Sequence, residues 1–176
     1  ALSISATDPA ADADTLSYSI NWGDGSAVQA VTAVQLAAAG GVVQHIYSDD
    51  EDGPVNATAR SISVTVNDGD GGSDTEAQTV TVNNVAPAIA LGGASGATAG
   101  QTYTLNLGSI TDPGTDTVSS WVIHWGDGST QTVGAAGDVT HTYAAAGSPT
   151  ISVDLVDEDG TWTNAGSKTV NVAPPG

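Results

Sequence analysis

Carboxylates are the side chains of this chain most able to do chemistry, and many of them lie in short loops between apolar segments. The longest acidic run is Asp49-Asp50-Glu51-Asp52. Calcium takes about six to eight oxygen ligands from carboxylates, amides and carbonyls. We therefore interpret the acidic loops as candidate calcium sites, although none of them matches an EF-hand loop. The alternative is a solvated acidic surface suited to salty surroundings.

Composition excludes several classes of function. The 176 residues carry 20 Asp and Glu against Arg60 and Lys168 alone, a formal net charge of -18. Such a surface repels phosphate backbones and anionic lipids, so we expect no nucleic-acid partner and no membrane insertion. The absence of cysteine rules out disulfides, thiolate metal sites and cysteine nucleophiles. No metalloprotease, phosphate-loop or serine-hydrolase motif is present, so we expect no catalysis.

An internal repeat organises the chain. The sequence Trp-Gly-Asp-Gly-Ser occurs at residues 22–26 and again at residues 125–129. The distance along the sequence between equivalent residues of the two copies becomes shorter at two points after this motif. The first copy therefore contains two insertions, within residues 27–44 and 48–60. The repeat predicts two domains, residues 1–86 and 87–176. The chain is interpreted as an excised piece of a longer protein whose first copy begins one strand late.

Period-two alternation is the dominant pattern in both halves and indicates β-strands. Tyr18, Ile20 and Trp22 alternate with polar residues, and the segment around Trp121 and Ile123 repeats this pattern. Enrichment in Thr, Val and Ile together with frequent Asp-Gly turns predicts an all-β fold made of sandwiches. Residues 33–40 are the only segment that favours a helix, and we expect one short helical turn there.

The order of these motifs is similar to that of the polycystic-kidney-disease (PKD) repeat. Trp-Gly-Asp-Gly-Ser is followed by His-x-Tyr and then by an alternating strand that ends in an acidic glycine turn. The resemblance covers nearly the whole chain as two tandem modules. It implies an immunoglobulin-like β-sandwich in an extracellular protein, including prokaryotic surface proteins and secreted hydrolases, with a spacer or interaction role. Ile20 and Ile123 stand where the family usually has a tryptophan, but Trp22, Trp121 and Trp125 supply the core rings.

The repeated motif residues are predicted to be structural. Glycines on both sides of Asp24 and Asp127 permit positive φ in a tight turn, where the carboxylate accepts bonds from nearby backbone N–H groups. A direct metal or ligand role for these two aspartates is the alternative. The remaining motif residues recur in both copies, so the shared fold explains them better than a single active site. They are Trp22, His45, Tyr47, Trp125, His141 and Tyr143.

Immunoglobulin-like strand order would gather the acidic loops at the ends of each module. Metal candidates at the ends where the chain enters the modules are Asp8, Asp12, Asp14, Asp68, Asp70, Asp112, Asp116, Asp157 and Asp159. Candidates at the junction between modules are Asp49, Asp50, Glu51, Asp52 and Asn84. We expect the acidic groups of the two modules to face each other at the junction. Calcium would bridge these mutually repelling carboxylates and make the connection between the modules rigid. Calcium is therefore expected at the entry loops, the junction or both.

The leading functional interpretation is a non-catalytic spacer in a larger cell-surface or secreted protein, with other modules of the same polypeptide as partners. The alternative is an adhesion or accessory module that binds an extracellular polysaccharide or fibrous protein for an attached hydrolase or adhesin. Trp162 is the candidate ligand contact, because its polar neighbours do not place it in the core by pattern. Exposed aromatic rings on one face would favour the alternative, since rings stack on sugars.

Overall fold

The computed structural model describes residues 1–8, 16–50, 53, 56–114 and 116–176. The chain forms two compact units, and neither is continuous in sequence. Unit 1 consists of Ala1–Ser48 and Ala57–Asn83, and unit 2 consists of Asp49–Asn56 and Asn84–Gly176. Four candidate metal ligands, Asp12, Asp14, Glu51 and Asp52, lie outside the described residues.

Unit 1 is built around a four-stranded antiparallel sheet. Its elements are β1 (Leu2–Ser3), β2 (Ser17–Asn21), β3 (Gln29–Thr32), α1 (Ala33–Ala38), β4 (Val42–Val43), β5 (Ala57–Asn67) and β6 (Ser73–Asn83). The sheet has the order β3-β2-β5-β6, and β1 pairs with β4 in a separate ladder. Alternate side chains of β2, Tyr18 and Ile20, point into the core with Trp22. The period-two pattern thus becomes one buried face of the sheet.

The short helix α1 confirms the helical turn expected in the first insertion. Thr32 caps it, because its Oγ1 accepts a hydrogen bond from the Gln35 N–H while Gln35 Oε1 accepts one from the Thr32 N–H. This reciprocal pair is a capping box and satisfies two donors at the helix start. Leu36 turns inward and joins the core of unit 1. No helix in the described part of the chain has the length and apolar character needed to cross a membrane.

Unit 2 is an immunoglobulin-like sandwich of two antiparallel sheets, which confirms the predicted all-β fold. Its strands are β7 (Ala88–Gly93), β8 (Gly96–Thr98), β9 (Thr102–Thr111), β10 (Ser120–His124), β11 (Thr130–Val133), β12 (Gly137–Thr142), β13 (Thr150–Val156), β14 (Thr161–Thr169) and β15 (Asn171–Ala173). One sheet has the order β11-β10-β13-β14 and the other β12-β9-β7, while β15 pairs in parallel with β8. Trp125, Ile123, Ile151 and Leu105 are buried between the sheets.

The strand register of unit 2 brings two acidic loops to the same end. β10 begins at Ser120 opposite Val156, the last residue of β13. The chain that leads into β10 and the turn that follows β13 therefore lie side by side. The Ser119 N–H donates to the Val156 carbonyl at 2.7 Å, and the Thr117 N–H donates to the Glu158 carboxylate at 2.9 Å. Residues 117–119 are thereby fixed against the turn 157–160.

Candidate metal centre

Five aspartates of unit 2 form two overlapping groups of potential metal ligands. One carboxylate oxygen from each of Asp49, Asp112 and Asp116 lies within 4.8 Å of the others. Asp50, Asp116 and Asp159 form a second group with the same limit. Asp116 belongs to both groups and therefore connects them. The residues come from three separate segments, which only the folded chain assembles.

Several polar atoms at this centre are buried without a hydrogen-bond partner. They include one carboxylate oxygen, Oδ2, from each of Asp49, Asp112 and Asp116. Asn84 directly follows β6 in the sequence. Its side-chain amide is also buried without a hydrogen-bond partner. Removing a charged oxygen from water without a compensating contact is unfavourable, and buried carboxylates are normally paired or bound to a metal. A cation bound at these oxygens would supply the missing contact.

The pKa values of two of these carboxyls are raised, which indicates that their charged forms are disfavoured in this environment. Burial, reinforced by the charges of Asp112 and Asp159, raises the pKa of Asp116 to about 7. Burial and the neighbouring Asp49 also raise the pKa of Asp112, although a hydrogen bond from the Gly114 N–H opposes the shift. A like charge nearby disfavours ionisation, whereas a bound cation reverses this preference. A divalent ion would therefore compete with protons for the site.

Hydrogen bonds hold Asp49 and Asn56 in place within unit 2. Asp49 Oδ1 accepts from the N–H groups of Asp50, at 2.9 Å, and Val85, at 2.8 Å. Asn56 Nδ2 donates to the Asp159 carbonyl at 3.2 Å, and the Asn84 N–H donates to the Asn56 carbonyl at 3.1 Å. These bonds leave Asp49 Oδ2 available toward the other carboxylates.

A close backbone approach completes the centre. An ideal Cβ built on Gly114 would lie 2.6 Å from Asp49 Oδ2. Only glycine fits there without displacing the carboxylate. The Gly114 N–H also donates to Asp112 Oδ1 at 3.0 Å, so the same residue orients a second potential ligand. The donor set of both groups consists of carboxylate oxygens, which suits a hard cation such as calcium better than a soft transition metal.

Sequence comparison assigns this fold to a family. Residues 84–172, half of the chain, match the PKD domain. The chain belongs to the PKD domain family. PKD domains are generally non-catalytic and typically extracellular. No curated protein matches the chain. Among solved structures, the fibronectin(III)-like modules of CbhA from Clostridium thermocellum align over 90% of this chain and 78% of theirs, with 17% identity and a TM-score of 0.44.

The repeated motif forms the same kind of turn in both units. Asp127 Oδ1 accepts from the Ser129 N–H at 3.0 Å, and Asp24 makes the equivalent bond to Ser26. Trp125 is 1% exposed. An added Cβ at Gly126, whose φ is +80°, would lie 2.5 Å from the Thr150 carbonyl oxygen, so the turn requires glycine there.

A histidine ties the turn to the core ring in each unit. His141 stacks on Trp125, and its Nε2 lies 2.7 Å from Asp127 Oδ2. The Tyr143 hydroxyl donates to the Trp125 carbonyl at 3.1 Å. Unit 1 repeats these contacts, and the residues concerned are Trp22, Asp24, His45 and Tyr47. In each unit, the motif residues thus form a network of contacts that holds the turn against the core tryptophan.

The other predicted ligands among the described residues belong to neither of the two carboxylate groups. Asp8, Asp68 and Asp70 belong to unit 1 and to neither described group. Asp68 Oδ1 accepts from the Asp70 and Gly72 N–H groups, which shapes the turn between β5 and β6. Asp157 is 7% exposed, and its Oδ1 accepts from the Asp159 and Gly160 N–H groups at 3.0 Å. Asp157 orders the loop that carries Asp159.

Trp162, the candidate ligand contact, is half-buried and bonded within its own PKD module. Its Nε1 donates to Asp157 Oδ2. A further pair, His124 with Asp154, is not among the residues that the sequence predicts. His124 Nε2 lies 2.8 Å from Asp154 Oδ2, and the histidine side chain is 42% exposed. The alternation pattern contained a signal for this pair, because both residues lie on the polar face of adjacent strands, two residues apart in register.

Proposed function

We propose that this chain is a pair of non-catalytic PKD modules that acts as a spacer in a larger cell-surface or secreted protein, and that calcium binds at the five-aspartate centre of unit 2. The single observation that carries the calcium assignment is the convergence of Asp49, Asp112 and Asp116. Each of these residues has a buried carboxylate oxygen without a hydrogen-bond partner. Other modules of the same polypeptide are the proposed partners.

Matched geometry supports unit 1 as a second PKD copy. Its Trp22 and His45 rings lie 4.6 Å apart between centroids, the same separation as Trp125 and His141. The pairing Leu2↔Val43 in unit 1 corresponds to Leu105↔Val139 in unit 2. Equivalent aromatic networks on equivalent strands are the expected result of tandem duplication. A tandem array of rigid modules suits a spacer.

Calcium is favoured over magnesium by the number and variety of oxygens at the centre. Two overlapping groups offer carboxylates from five residues, with the Asn84 amide as a further buried polar group. Magnesium demands a near-ideal octahedron and keeps much of its water, whereas calcium accepts irregular sets with more protein ligands. An acidic extracellular module in a calcium-rich medium would be held in one conformation by such an ion.

Calorimetric titration of the chelated protein with calcium tests the assignment. We expect a saturable heat and a rise in Tm, because an ion that binds only the folded state stabilises it. Asp116→Asn removes the carboxylate shared by both groups and should abolish both signals. Asp138→Asn is the matched control, since Asp138 is exposed on β12 and lies outside the two carboxylate groups.

The outcomes separate specific binding from general charge screening. If Asp138→Asn and Asp116→Asn lose the same part of the Tm gain, the effect is screening of the acidic surface and the calcium site is wrong. If sodium at matched ionic strength reproduces the gain, the same conclusion follows. A magnesium titration with equal heat and equal Tm gain would overturn the preference for calcium.

A further inference from the structure

The five aspartates of the candidate metal centre divide into two sets of ligand size. The first group is Asp49, Asp112 and Asp116, and the second is Asp50, Asp116 and Asp159, each with its ligand oxygens within 4.8 Å of one another. No four carboxylates of the described residues satisfy this limit together. Oxygens bound to one calcium ion lie at most about 5.2 Å apart, twice the ion–oxygen distance. Each group therefore has the dimensions of one coordination shell.

The first group is positioned by two backbone N–H groups. Val85 donates to Asp49 Oδ1 at 2.8 Å, and Gly114 donates to Asp112 Oδ1 at 3.0 Å. In both carboxylates the other oxygen, Oδ2, is buried without a hydrogen-bond partner. One oxygen of each carboxylate thus orients the side chain, and the other remains for an ion.

The second group is positioned by contacts that do not involve Asp112 or Gly114. The Asp159 N–H donates to Asp157 Oδ1 at 3.0 Å, and the Asp159 carbonyl accepts from Asn56 Nδ2 at 3.2 Å. The Asp50 N–H donates to Asp49 Oδ1 at 2.9 Å. Loss of Asp112 as a ligand would therefore leave the second group in place.

Asn84 offers an uncharged oxygen beside the second group. Its N–H donates to the carbonyl of Asn56, the residue whose side chain bonds to the Asp159 carbonyl. Both polar atoms of the Asn84 side chain are buried without a hydrogen-bond partner. Calcium accepts amide oxygens together with carboxylates, so Asn84 Oδ1 suits the shell of an ion bound there.

The carboxylate of Asp116 connects the two groups, because it is a member of both. Its Oδ2 is buried without a hydrogen-bond partner. Cations in two-metal sites commonly lie about 3.5–4 Å apart, a separation that one carboxylate can bridge with its two oxygens.

The charge of the centre also favours more than one ion. Five ionised aspartates carry five negative charges, and one calcium ion would leave three of them uncompensated. A second ion would leave one. Like charges held together and partly removed from water are unfavourable, so the second ion relieves repulsion that the first does not.

Given the calcium assignment proposed above, on which this inference rests, we propose that the five-aspartate centre binds two calcium ions, one in each group, with the carboxylate of Asp116 bridging them. Asn84 Oδ1 is a neutral ligand of the ion in the second group. Water completes both coordination shells, since calcium takes about six to eight oxygens.

Equilibrium dialysis of the full chain against calcium at physiological ionic strength counts the bound ions. We expect two ions per chain at saturation for the natural protein. Asp112→Asn removes a charge from the first group alone, and Asp50→Asn removes one from the second group alone. Each variant should retain one ion, and Asp116→Asn should retain none. Asp138→Asn lies outside both groups and should bind as many ions as the natural chain.

The possible counts separate this proposal from the calcium assignment itself. One ion on the natural chain, lost in both Asp112→Asn and Asp50→Asn, would mean that all five residues share a single ion. The calcium assignment would then stand and the two-ion centre would be wrong. No bound calcium on the natural chain would overturn both proposals.

Two further results would also contradict the two-ion centre. Loss of both ions in Asp112→Asn or in Asp50→Asn would show that the groups are not separate sites. Ions that none of the three site variants removes are counterions of the acidic surface and do not count toward the centre. Near-UV circular dichroism of the tryptophans checks that each variant is folded, and the count for the natural chain decides between one ion and two by itself.

Discussion

The imidazole of His141 lies parallel to the indole of Trp125, with 4.6 Å between ring centroids and 12° between ring planes. The same histidine contacts Asp127 through Nε2, while the Tyr143 ring meets it edge-on at 4.7 Å. One side chain thus joins the hydrophobic core to the carboxylate of the turn. Stability of the turn and stability of the core are coupled through this ring.

Replacing His141 should therefore destabilise unit 2. His141→Ala removes a stacked ring and leaves Asp127 without one of its partners, which we expect to cost about 2 kcal/mol in the free energy of unfolding. His124→Ala is the control, because that side chain is 42% exposed. Urea unfolding measured by tryptophan fluorescence compares the two. Equal losses for both variants would contradict the coupling.

The raised pKa of Asp116, about 7, predicts a pH dependence in chelator. A carboxyl whose folded pKa exceeds its unfolded value binds more protons when folded. Its contribution to stability is full below about pH 4, the unfolded pKa, and falls as the pH rises through about 7. Metal-free Tm should fall over this window for the natural chain and less for Asp116→Asn. Parallel pH profiles of the two proteins would contradict this.

The aspartates of the repeated motif predict the opposite dependence of stability on pH. Hydrogen bonds from Ser129, and then from His141, lower the pKa of Asp127 to about 2 despite its partial burial. A lowered carboxyl pKa gives stability that is present above the unfolded value and lost as the pH falls toward the folded one. The Asp116 effect is therefore best measured as the difference between the two proteins at each pH.

Gly114→Ala should weaken calcium binding without unfolding the module. Its new Cβ would displace the carboxylate of Asp49, since only 2.6 Å separates that position from Asp49 Oδ2. Gly134→Ala is the control, because a Cβ there meets no heavy atom within 4 Å. Calorimetric titration of both variants gives the affinities, and we expect about a tenfold loss for Gly114→Ala alone. Unchanged affinity would show that Asp49 is not a ligand.

Polysaccharide binding through Trp162 stays a prediction, and it competes with the internal role of this ring. If Trp162 mainly supports Asp157, Trp162→Ala should reduce calcium affinity and leave retention on insoluble polysaccharides unchanged. A binding module would show the reverse, with retention by the natural chain and loss in the variant. Co-sedimentation with the polysaccharide, in calcium and in chelator, separates these results.

The fold was largely predictable because its determinants are local. Alternation around Tyr18 and Ile20 specifies a strand with one buried face, and the glycines beside Asp24 specify a tight turn. The helical turn after Thr32 could also be located, since its capping residues are adjacent in sequence. Each of these features depends on neighbours within a few positions along the chain.

The candidate metal centre was harder to predict because its geometry depends on register and loop placement. Sequence reasoning named Asp49, Asp112 and Asp116 as candidates, but it named Asp157 on equal terms. Which carboxylates converge is decided by hydrogen bonds such as the one that the Val85 N–H donates to the Asp49 carboxylate, between residues 36 positions apart. No local pattern encodes such a bond.

Unit 2 is interrupted in sequence, since eight of its residues, Asp49–Asn56, are inserted between β4 and β5 of unit 1. Contacts between residues far apart along the chain form late and slow the folding of a domain. A centre that draws on Asp49 and Asp159 cannot assemble while the ribosome has yet to make the second residue. A separately produced fragment of residues 84–176 would lack Asp49 and Asp50 altogether. The order of synthesis therefore sets the earliest moment at which all five aspartates of the proposed centre are present.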